Sequence, residues 1–209
     1  MKVGSKHQSA EMRRQQILSA ADLVLIDVGI EDFTIDQVAV RANIAKGTVY
    51  KYFKSKDEIL AELSTKAVSL LLQTFQQATA KHNRSIEKLK AICWAAYRYY
   101  QTHNTYHELL AYIERPEFDI NVQGYIKISQ SIQDFCESIV IEGQKKGEIN
   151  PTLNPQLLVR VIWATNIGVI QFVQTKQKLI QNIHETPMDE VINISVQMMA
   201  SGIVNDKKD

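Results

Sequence analysis

Residues 34–58 read TIDQVAVRANIAKGTVYKYFKSKDE, and the helix signals in this segment determine the predicted fold. Thr34, followed three residues later by Gln37, forms a capping box, which predicts a short helix directly after Thr34. Asn43 then lies in a tight connection, because Asn is one of the few residues besides Gly that tolerate the left-handed backbone region. A second short helix is predicted from Ala45 to Phe53. Two short helices joined by a tight turn are typical of a helix-turn-helix.

The second short helix is predicted to have two different faces. At about 100° per residue, one side is expected to be the core face, with Ala45, Val49, Tyr52 and Phe53. The opposite side carries Gly47, Tyr50 and Lys51, flanked by Lys46 and Thr48. An exposed Gly destabilises a helix by about 1 kcal/mol relative to Ala, so Gly47 indicates that another molecule approaches the backbone closely.

Charge is unevenly distributed along the chain. The net charge is only +1, yet residues 41–56 carry five basic residues and no acidic one. Such a block is the expected footprint of a surface that contacts phosphates, although a solvated basic face is the alternative. Tyr50 and the lysines can reach phosphates, Thr48 can touch a base edge, and helix starts at Thr34 and Lys56 favour a phosphate. The candidate DNA-binding residues are Thr34, Lys46, Gly47, Thr48, Tyr50, Lys51, Tyr52 and Lys56.

The remaining sequence predicts an all-α fold of about nine helices. Strand signals are nearly absent, and 209 residues allow one large domain or two small ones. The predicted helices cover residues 9–28, 35–41, 45–53, 55–82, 85–103, 105–114, 121–146, 154–178 and 187–204. A three-helix DNA-binding domain with its N-terminal arm is expected in residues 1–54, and a larger helical domain in residues 55–209.

The uninterrupted stretch from Gly47 to Asp57 resembles the DNA-binding domain of the TetR family of bacterial transcriptional regulators. The family pattern is Gly-Thr-apolar-Tyr-x-Tyr/His-Phe followed by x-Ser/Asn-Lys-Asp/Glu, and the resemblance covers roughly residues 11–71. Two residues depart from the pattern: Asn43 stands where Gly is usual, and Ala45 where Ser is usual. The second departure removes a side-chain helix cap, typically worth ~1 kcal/mol, and a possible phosphate contact.

The resemblance implies a homodimer that binds double-stranded operator DNA and a small-molecule effector inside its C-terminal domain. On that basis the protein is expected to be a repressor that its effector releases from the operator. The effector is unknown and is expected to be largely apolar or aromatic. The alternative is a helical protein-interaction module in which DNA binding is lost or secondary.

Aromatic and polar residues of the larger domain are candidates for the effector pocket. A pocket that is mostly apolar with a few polar anchors would suit them, although core packing is the alternative for each one. The candidate pocket residues are Trp94, Tyr97, His103, Tyr106, His107, Tyr125, Phe135, Trp163 and Asn166.

The resemblance implies that the last two helices form the dimer interface. The sequence is consistent with this, because the helix over residues 154–178 is more apolar than a single core face requires and the last helix presents an apolar stripe. Their small residues would permit close approach of a partner helix, and an intramolecular core is the alternative. The candidate interface residues are Val161, Ala164, Thr165, Gly168, Phe172, Val191, Ile194, Ser195, Met198 and Met199.

Catalytic and metal-binding motifs are absent from the sequence. His107 begins HELLA without a second His, and His103 with His107 is a weak metal pair, so we expect no enzyme activity, no metal and no cofactor. The N-terminus shows no signal peptide, and the longest apolar run falls short of a membrane span. With two Cys and no disulfide framework, a cytoplasmic location without membrane contact is expected.

Overall fold

The chain is all-α, as predicted from the sequence. The computed structural model describes the backbone of residues 3–118, 122–184 and 187–205, and the side chains of residues 9–118, 122–176, 187 and 189–205. Within these residues there are nine helices and no β-strand. The helices are α1 (Val3–Val28), α2 (Ile35–Arg41), α3 (Lys46–Tyr50), α4 (Lys56–Thr79), α5 (Ser85–Thr102), α6 (Asn104–Ile113), α7 (Gln123–Lys145), α8 (Pro155–His184) and α9 (Met188–Ile203).

The structure divides into two compact units. The first comprises Met1–Ser69 and His103–Lys127, and the second comprises Leu70–Thr102 and Ile128–Asp209. Helices α4 and α7 therefore contribute residues to both units. The functional division expected after residue 54 stays a prediction.

In the first unit, α1, α2, α3 and α4 share an apolar core. Ile17, Leu25, Phe33, Val38, Val49, Phe53, Ile59 and Leu60 are almost completely buried there. The Arg14 guanidinium of α1 donates a 3.0 Å hydrogen bond to Glu62 of α4, and it lies 4.7 Å from the centre of the Phe53 ring. Arg14 therefore links α1 to α4 near the end of the helix-turn-helix, because its guanidinium contacts the Glu62 carboxylate and the Phe53 ring at the same time.

In the second unit, α5 is the most deeply buried helix. Its stretch from Ile92 to Tyr97 is buried except for a half-buried Trp94. The Glu148 carboxylate accepts a 2.6 Å hydrogen bond from the backbone N–H of Ser85, which satisfies a donor at the first turn of α5. Burial on nearly every side is typical of a helix that packs in the centre of a domain.

Several helix ends differ from those predicted. Helix α1 begins at Val3 rather than Ser9, α4 ends at Thr79 rather than His82, and α8 continues to His184 rather than Lys178. The predicted helix start at Asn121 lies outside the described residues, and so does Thr186, which directly precedes the predicted helix 187–204. Gly29 and Gly147 follow α1 and α7 with φ of 75° and 73°, which is the left-handed conformation that ends a helix.

Helix α8 is unusually apolar for its degree of burial. By length and composition, its stretch Pro155–Lys176 could cross a membrane, which corrects the expectation that no segment would reach those dimensions. The core helix of a soluble protein passes the same test, but most residues of this stretch are exposed or half-buried. Exposed apolar surface of this extent is typical of an interaction site.

Candidate DNA-binding site

The first helix of the candidate site begins at a complete capping box. Thr34 has an extended backbone, and its side-chain oxygen accepts a 3.3 Å hydrogen bond from the N–H of Gln37. In return, Oε1 of Gln37 accepts a 2.9 Å hydrogen bond from the N–H of Thr34. These reciprocal bonds satisfy two backbone donors and fix the start of α2. The capping box expected from the sequence is confirmed.

The connection between α2 and α3 turns at Asn43, which has a φ of 53°. The N–H of Ile44 donates a 3.0 Å hydrogen bond to the carbonyl of Ala39, closing the turn against α2. Ala45 is the residue before α3, and no side chain caps this helix. Both departures from the family pattern therefore have the expected local consequences: Asn43 accommodates the turn, and the side-chain cap is missing.

Helix α3 presents one buried and one exposed side, with one correction to the prediction. Val49 and Phe53 are fully buried, whereas Ala45 is exposed and does not belong to the core face. The reason is that α3 spans only five residues, so Ala45 lies before the helix and does not follow its 100° rotation. Gly47, Tyr50 and Lys51 are exposed, as expected.

Gly47 is not required by the packing of the protein itself. A Cβ atom built at this position would meet no other atom within 4 Å, and Gly47 adopts no positive φ. The exposed position therefore has room for a side chain in the free protein. A glycine there is favourable where a neighbouring molecule closely approaches α3.

Two of the five basic residues in 41–56 have acidic partners. Nζ of Lys46 lies 2.8 Å from the Asp36 carboxylate, and this hydrogen-bonded contact raises the pKa of Lys46. Arg41 forms an ion pair with Asp27. These partners were missed by sequence reasoning, although the acidic residues between Asp22 and Asp36 just before the basic block were a signal for them.

A third basic residue is directed towards the protein rather than away from it. The Lys56 ammonium donates a 2.7 Å hydrogen bond to the carbonyl of Ile30 and lies 5.9 Å from the centre of the Phe33 ring. Among the side chains that the structure describes, Lys51 and Lys54 have no acidic partner. The basic block thus presents less free positive charge than its composition suggests.

The candidate pocket residues fall into both compact units. Trp94, Tyr97, Phe135, Trp163 and Asn166 belong to the second unit, and His103, Tyr106, His107 and Tyr125 belong to the first. In the second unit, the Trp163 ring packs edge-on against Phe75 at 6.0 Å, and the Trp94 ring packs edge-on against Tyr97 at 6.0 Å. In the first unit, the centres of the stacked His103 and Tyr106 rings lie 6.1 Å apart. Burial lowers the pKa of His107. The Tyr125 hydroxyl donates a hydrogen bond to the Glu114 carboxylate.

Asn166 is the most unusual of these residues. Its side chain is 2% exposed, and its Nδ2 is 3.5 Å from the carbonyl of Cys93. Its Oδ1 accepts no hydrogen bond from the described residues. A buried polar atom without a partner costs about 1–3 kcal/mol, so its presence calls for an explanation.

The candidate dimer residues are mostly exposed or half-buried. Val161, Phe172, Ile194 and Met198 expose between 46% and 70% of their surface. Ala164, Thr165 and Gly168 are also exposed, and Val191, Ser195 and Met199 are half-buried. Large apolar side chains therefore lie exposed on the outer faces of α8 and α9, where a partner helix could cover them.

Residues 17–63 match the family model described as bacterial regulatory proteins, tetR family. The chain carries a TetR-family N-terminal domain. The match spans the helix-turn-helix described above and the surrounding parts of α1 and α4. The TetR-family resemblance seen in the sequence is thereby confirmed, and the family consists of transcriptional regulators rather than enzymes.

Full-length comparisons extend the likeness beyond the TetR-family domain. A fatty acid metabolism regulator protein of Bacillus subtilis (strain 168) is 23% identical over 192 residues, covering 91% of this chain and 95% of that relative. An uncharacterised HTH-type transcriptional regulator of the same organism is 29% identical over 160 residues, covering 76% of this chain and 82% of the relative. This chain is a helix-turn-helix transcriptional regulator.

A solved structure shows the same fold over nearly the whole chain. The transcriptional regulator FadR from Bacillus subtilis, crystallised in complex with stearoyl-CoA, has a TM-score of 0.69 and 22% sequence identity. The match covers 90% of this chain and 98% of the FadR chain. The shared fold includes the helices that follow the DNA-binding domain.

Proposed function

We propose that this protein is a homodimeric repressor that binds operator DNA through α3 and is released by an acyl thioester of coenzyme A. The observation that carries the proposal is the exposed face of α3, with Gly47, Tyr50 and Lys51. This role requires access to chromosomal DNA and therefore a cytoplasmic location. No membrane contact is part of the proposal.

The chemistry of α3 suits a DNA groove. Tyr50 exposes 46% of its surface and can donate its hydroxyl to a phosphate, while Lys51 supplies a positive charge without an acidic partner among the described side chains. Thr48 can contact a base edge or a thymine methyl group. The small Gly47 lets the helix backbone approach the groove. Lys46, Tyr52, Thr34 and Lys56 complete the proposed contact surface.

A dimer would place two copies of α3 on successive major grooves, about 34–36 Å apart. The exposed apolar residues of α8 and α9 support this assembly, because burying them against a second copy removes apolar surface from water. Ile194→Lys and Met198→Lys should shift the protein from dimer to monomer in light scattering. Lys145→Ala, an exposed change outside α8 and α9, serves as the control. A wild-type protein that is monomeric at micromolar concentration would refute the dimer.

Two observations support the effector class. The fatty acid metabolism regulator is similar over almost its full length, and the structure of FadR was determined with stearoyl-CoA. In this chain, the Oδ1 of Asn166 is buried in the second unit and accepts no hydrogen bond from the described residues. A ligand that donates a hydrogen bond to it would remove the cost of leaving it unpaired.

DNA binding is tested by fluorescence anisotropy with the DNA upstream of the protein's own gene. Lys51→Ala should weaken binding and reduce the slope of log affinity against log salt by about 1. Tyr50→Phe should weaken binding through loss of one phosphate contact. Lys145→Ala is the control, because Lys145 is exposed in the second unit. Salt-independent binding, or no binding at all, would favour the protein-interaction module instead.

Release is tested by adding stearoyl-CoA to the preformed protein–operator complex. Wild-type protein should dissociate, whereas Asn166→Leu should require at least tenfold more ligand. The same variant should melt at a higher temperature without ligand, because it replaces an unpaired buried polar atom with an apolar group. An Asn166→Leu protein with normal release would remove Asn166 from the effector site, and complete insensitivity of the wild type would refute the effector class.

A further inference from the structure

An open groove of about 470 Å³ lies on the second unit, outside the helix-turn-helix. Helix α5 lines it with one face, on which Glu87, Lys90, Trp94 and Arg98 follow one another at helical spacing. Lys81, just after α4, lines a further part of the wall. Helix α9 contributes Val196 and Gln197. The volume is within the range of about 300–1,000 Å³ that small-molecule sites occupy.

The groove carries an excess of positive charge. Three basic side chains, Lys81, Lys90 and Arg98, line it together with a single carboxylate, Glu87. Nζ of Lys90 lies 3.1 Å from this carboxylate, so the pair is internally neutral. Lys81 and Arg98 have no acidic partner among the side chains that the structure describes. Two unpaired cations in one groove favour an anionic ligand, and the planar Arg fork suits a phosphate.

An aromatic side chain, Trp94, lies on α5 between Lys90 and Arg98, four residues from each. Trp94 is half-buried on α5, and its ring meets Tyr97 edge-on at an interplanar angle of 67°. The Tyr97 hydroxyl in turn donates a 2.8 Å hydrogen bond to Asp189, which holds this aromatic pair in place. The neighbouring lining residues on α5 are Ala91 and Ala95, whose small side chains leave space beside the indole. A planar ring system can pack on such an indole.

A narrow apolar slot adjoins the groove. It has a volume of only about 10 Å³, shares Lys90 and Val196 with the groove, and is lined further by residues such as Cys93, Ile162 and Met199. An acyl chain could enter there only if α9 moved away from α5. At this volume the slot has room for no more than about one water molecule, so the proposed ligand contact is confined to the charged groove.

We infer that this groove binds the phosphorylated adenosine portion of coenzyme A, with Arg98 and Lys81 holding phosphates and Trp94 packing on the adenine. This assignment deepens the proposed function and rests on it. It specifies where the head of the effector lies. It also predicts that the head contributes binding free energy of its own, separate from that of the acyl chain.

The test is isothermal titration of the full-length protein with four probes: coenzyme A, stearoyl-CoA, sodium stearate and ATP. For wild type, we expect coenzyme A to bind measurably and ATP, which shares the adenine and the phosphates, to bind the same groove. The double variant Arg98→Ala/Lys81→Ala should lose coenzyme A binding and weaken stearoyl-CoA at least tenfold, with stearate unchanged. The matched control is Arg84→Ala/Lys145→Ala, which removes one Arg and one Lys that are exposed in the same unit but outside the groove.

The outcomes separate this inference from the proposed function. Unchanged stearoyl-CoA binding in the double variant would overturn the groove assignment, even if stearoyl-CoA still releases the operator. Failure of coenzyme A to bind would also overturn it, because the inference requires the head group to bind without an acyl chain. If coenzyme A binds the groove but stearoyl-CoA leaves the operator complex intact, the proposed effector role fails while the site stands. Trp94→Ala, which leaves both cations in place, should weaken coenzyme A binding as well.

Discussion

The Tyr106 hydroxyl of α6 donates a 2.5 Å hydrogen bond to the Asp22 carboxylate of α1, and both side chains are buried within the first compact unit. Nζ of Lys66 on α4 donates to the other oxygen of the same carboxylate. Burial and the adjacent Asp22 raise the pKa of Tyr106, so the phenol remains a donor. One buried carboxylate thus joins three helices of this unit.

Removing the Tyr106 hydroxyl should destabilise the protein. In Tyr106→Phe, Asp22 keeps Lys66 but loses its buried donor, and hydrogen bonds to charged groups contribute about 1.5–3 kcal/mol. We expect the free energy of unfolding in urea to fall by about that amount. Tyr50→Phe removes a hydroxyl from a half-exposed ring on α3 and should leave stability unchanged. Equal stability of the two variants would contradict a structural role for the Asp22–Tyr106 bond.

Asp36→Asn should strengthen operator binding. The Asp36 carboxylate holds the ammonium of Lys46 and places a negative charge beside the proposed phosphate-contacting face. The amide removes that charge and releases Lys46, so affinity should rise several-fold and the salt slope should steepen. Anisotropy titrations at several salt concentrations measure both effects. Asp32→Asn removes an exposed carboxylate before α2 and is the control; weaker binding by Asp36→Asn would contradict our account of Lys46.

Ala45→Ser should stabilise the helix-turn-helix. Ala45 has the extended backbone of a cap residue, with φ of −67° and ψ of 141°, but no side-chain oxygen to accept from the first turn of α3. A serine there should raise the free energy of unfolding by about 1 kcal/mol. Thermal melting measures the gain, and Ala45→Val is the comparison, because valine occupies the position without capping. A serine variant no more stable than the valine variant would show that α3 needs no cap.

Glu142→Gln should destabilise the protein at neutral pH but not in strong acid. Hydrogen bonds from Lys146 and Lys88 lower the pKa of Glu142 from its ordinary 4.5 to about 2. A lowered pKa in the folded state gives stability that is present above pH 4.5 and lost as the pH falls to about 2. The melting temperatures of variant and wild type should therefore differ at pH 7 and converge near pH 2. Combining the change with Lys88→Met should reduce the difference at pH 7, and a pH-independent difference would contradict the ion-pair explanation.

Local signals in the sequence predicted the start and turn of the helix-turn-helix. The Thr34–Gln37 capping box and the left-handed Asn43 depend on residues within three positions of each other, so spacing alone identifies them. Ala45 was assigned to the wrong face, because the helical rotation was extended to a residue that precedes α3. Helix periodicity applies only within the helix, and a five-residue helix leaves little of it.

Features that depend on packing between helices could not be predicted. Lys46 and Asp36 are ten residues apart, and their contact depends on the angle between α2 and α3. The groove around Trp94 combines α5 with the end of α4 and with α9, although sequence reasoning did identify Trp94 as a pocket candidate. The orphaned Oδ1 of Asn166 is likewise visible only when its surroundings are known.

The carboxylate partners of Arg41 and Lys46 have a consequence for how the protein searches a chromosome. Affinity for arbitrary DNA depends on how many mobile counterions the protein displaces, and basic groups already neutralised from within displace fewer. Non-specific DNA should therefore bind each molecule only briefly, and a smaller fraction of the protein in the cell should occupy non-specific sites.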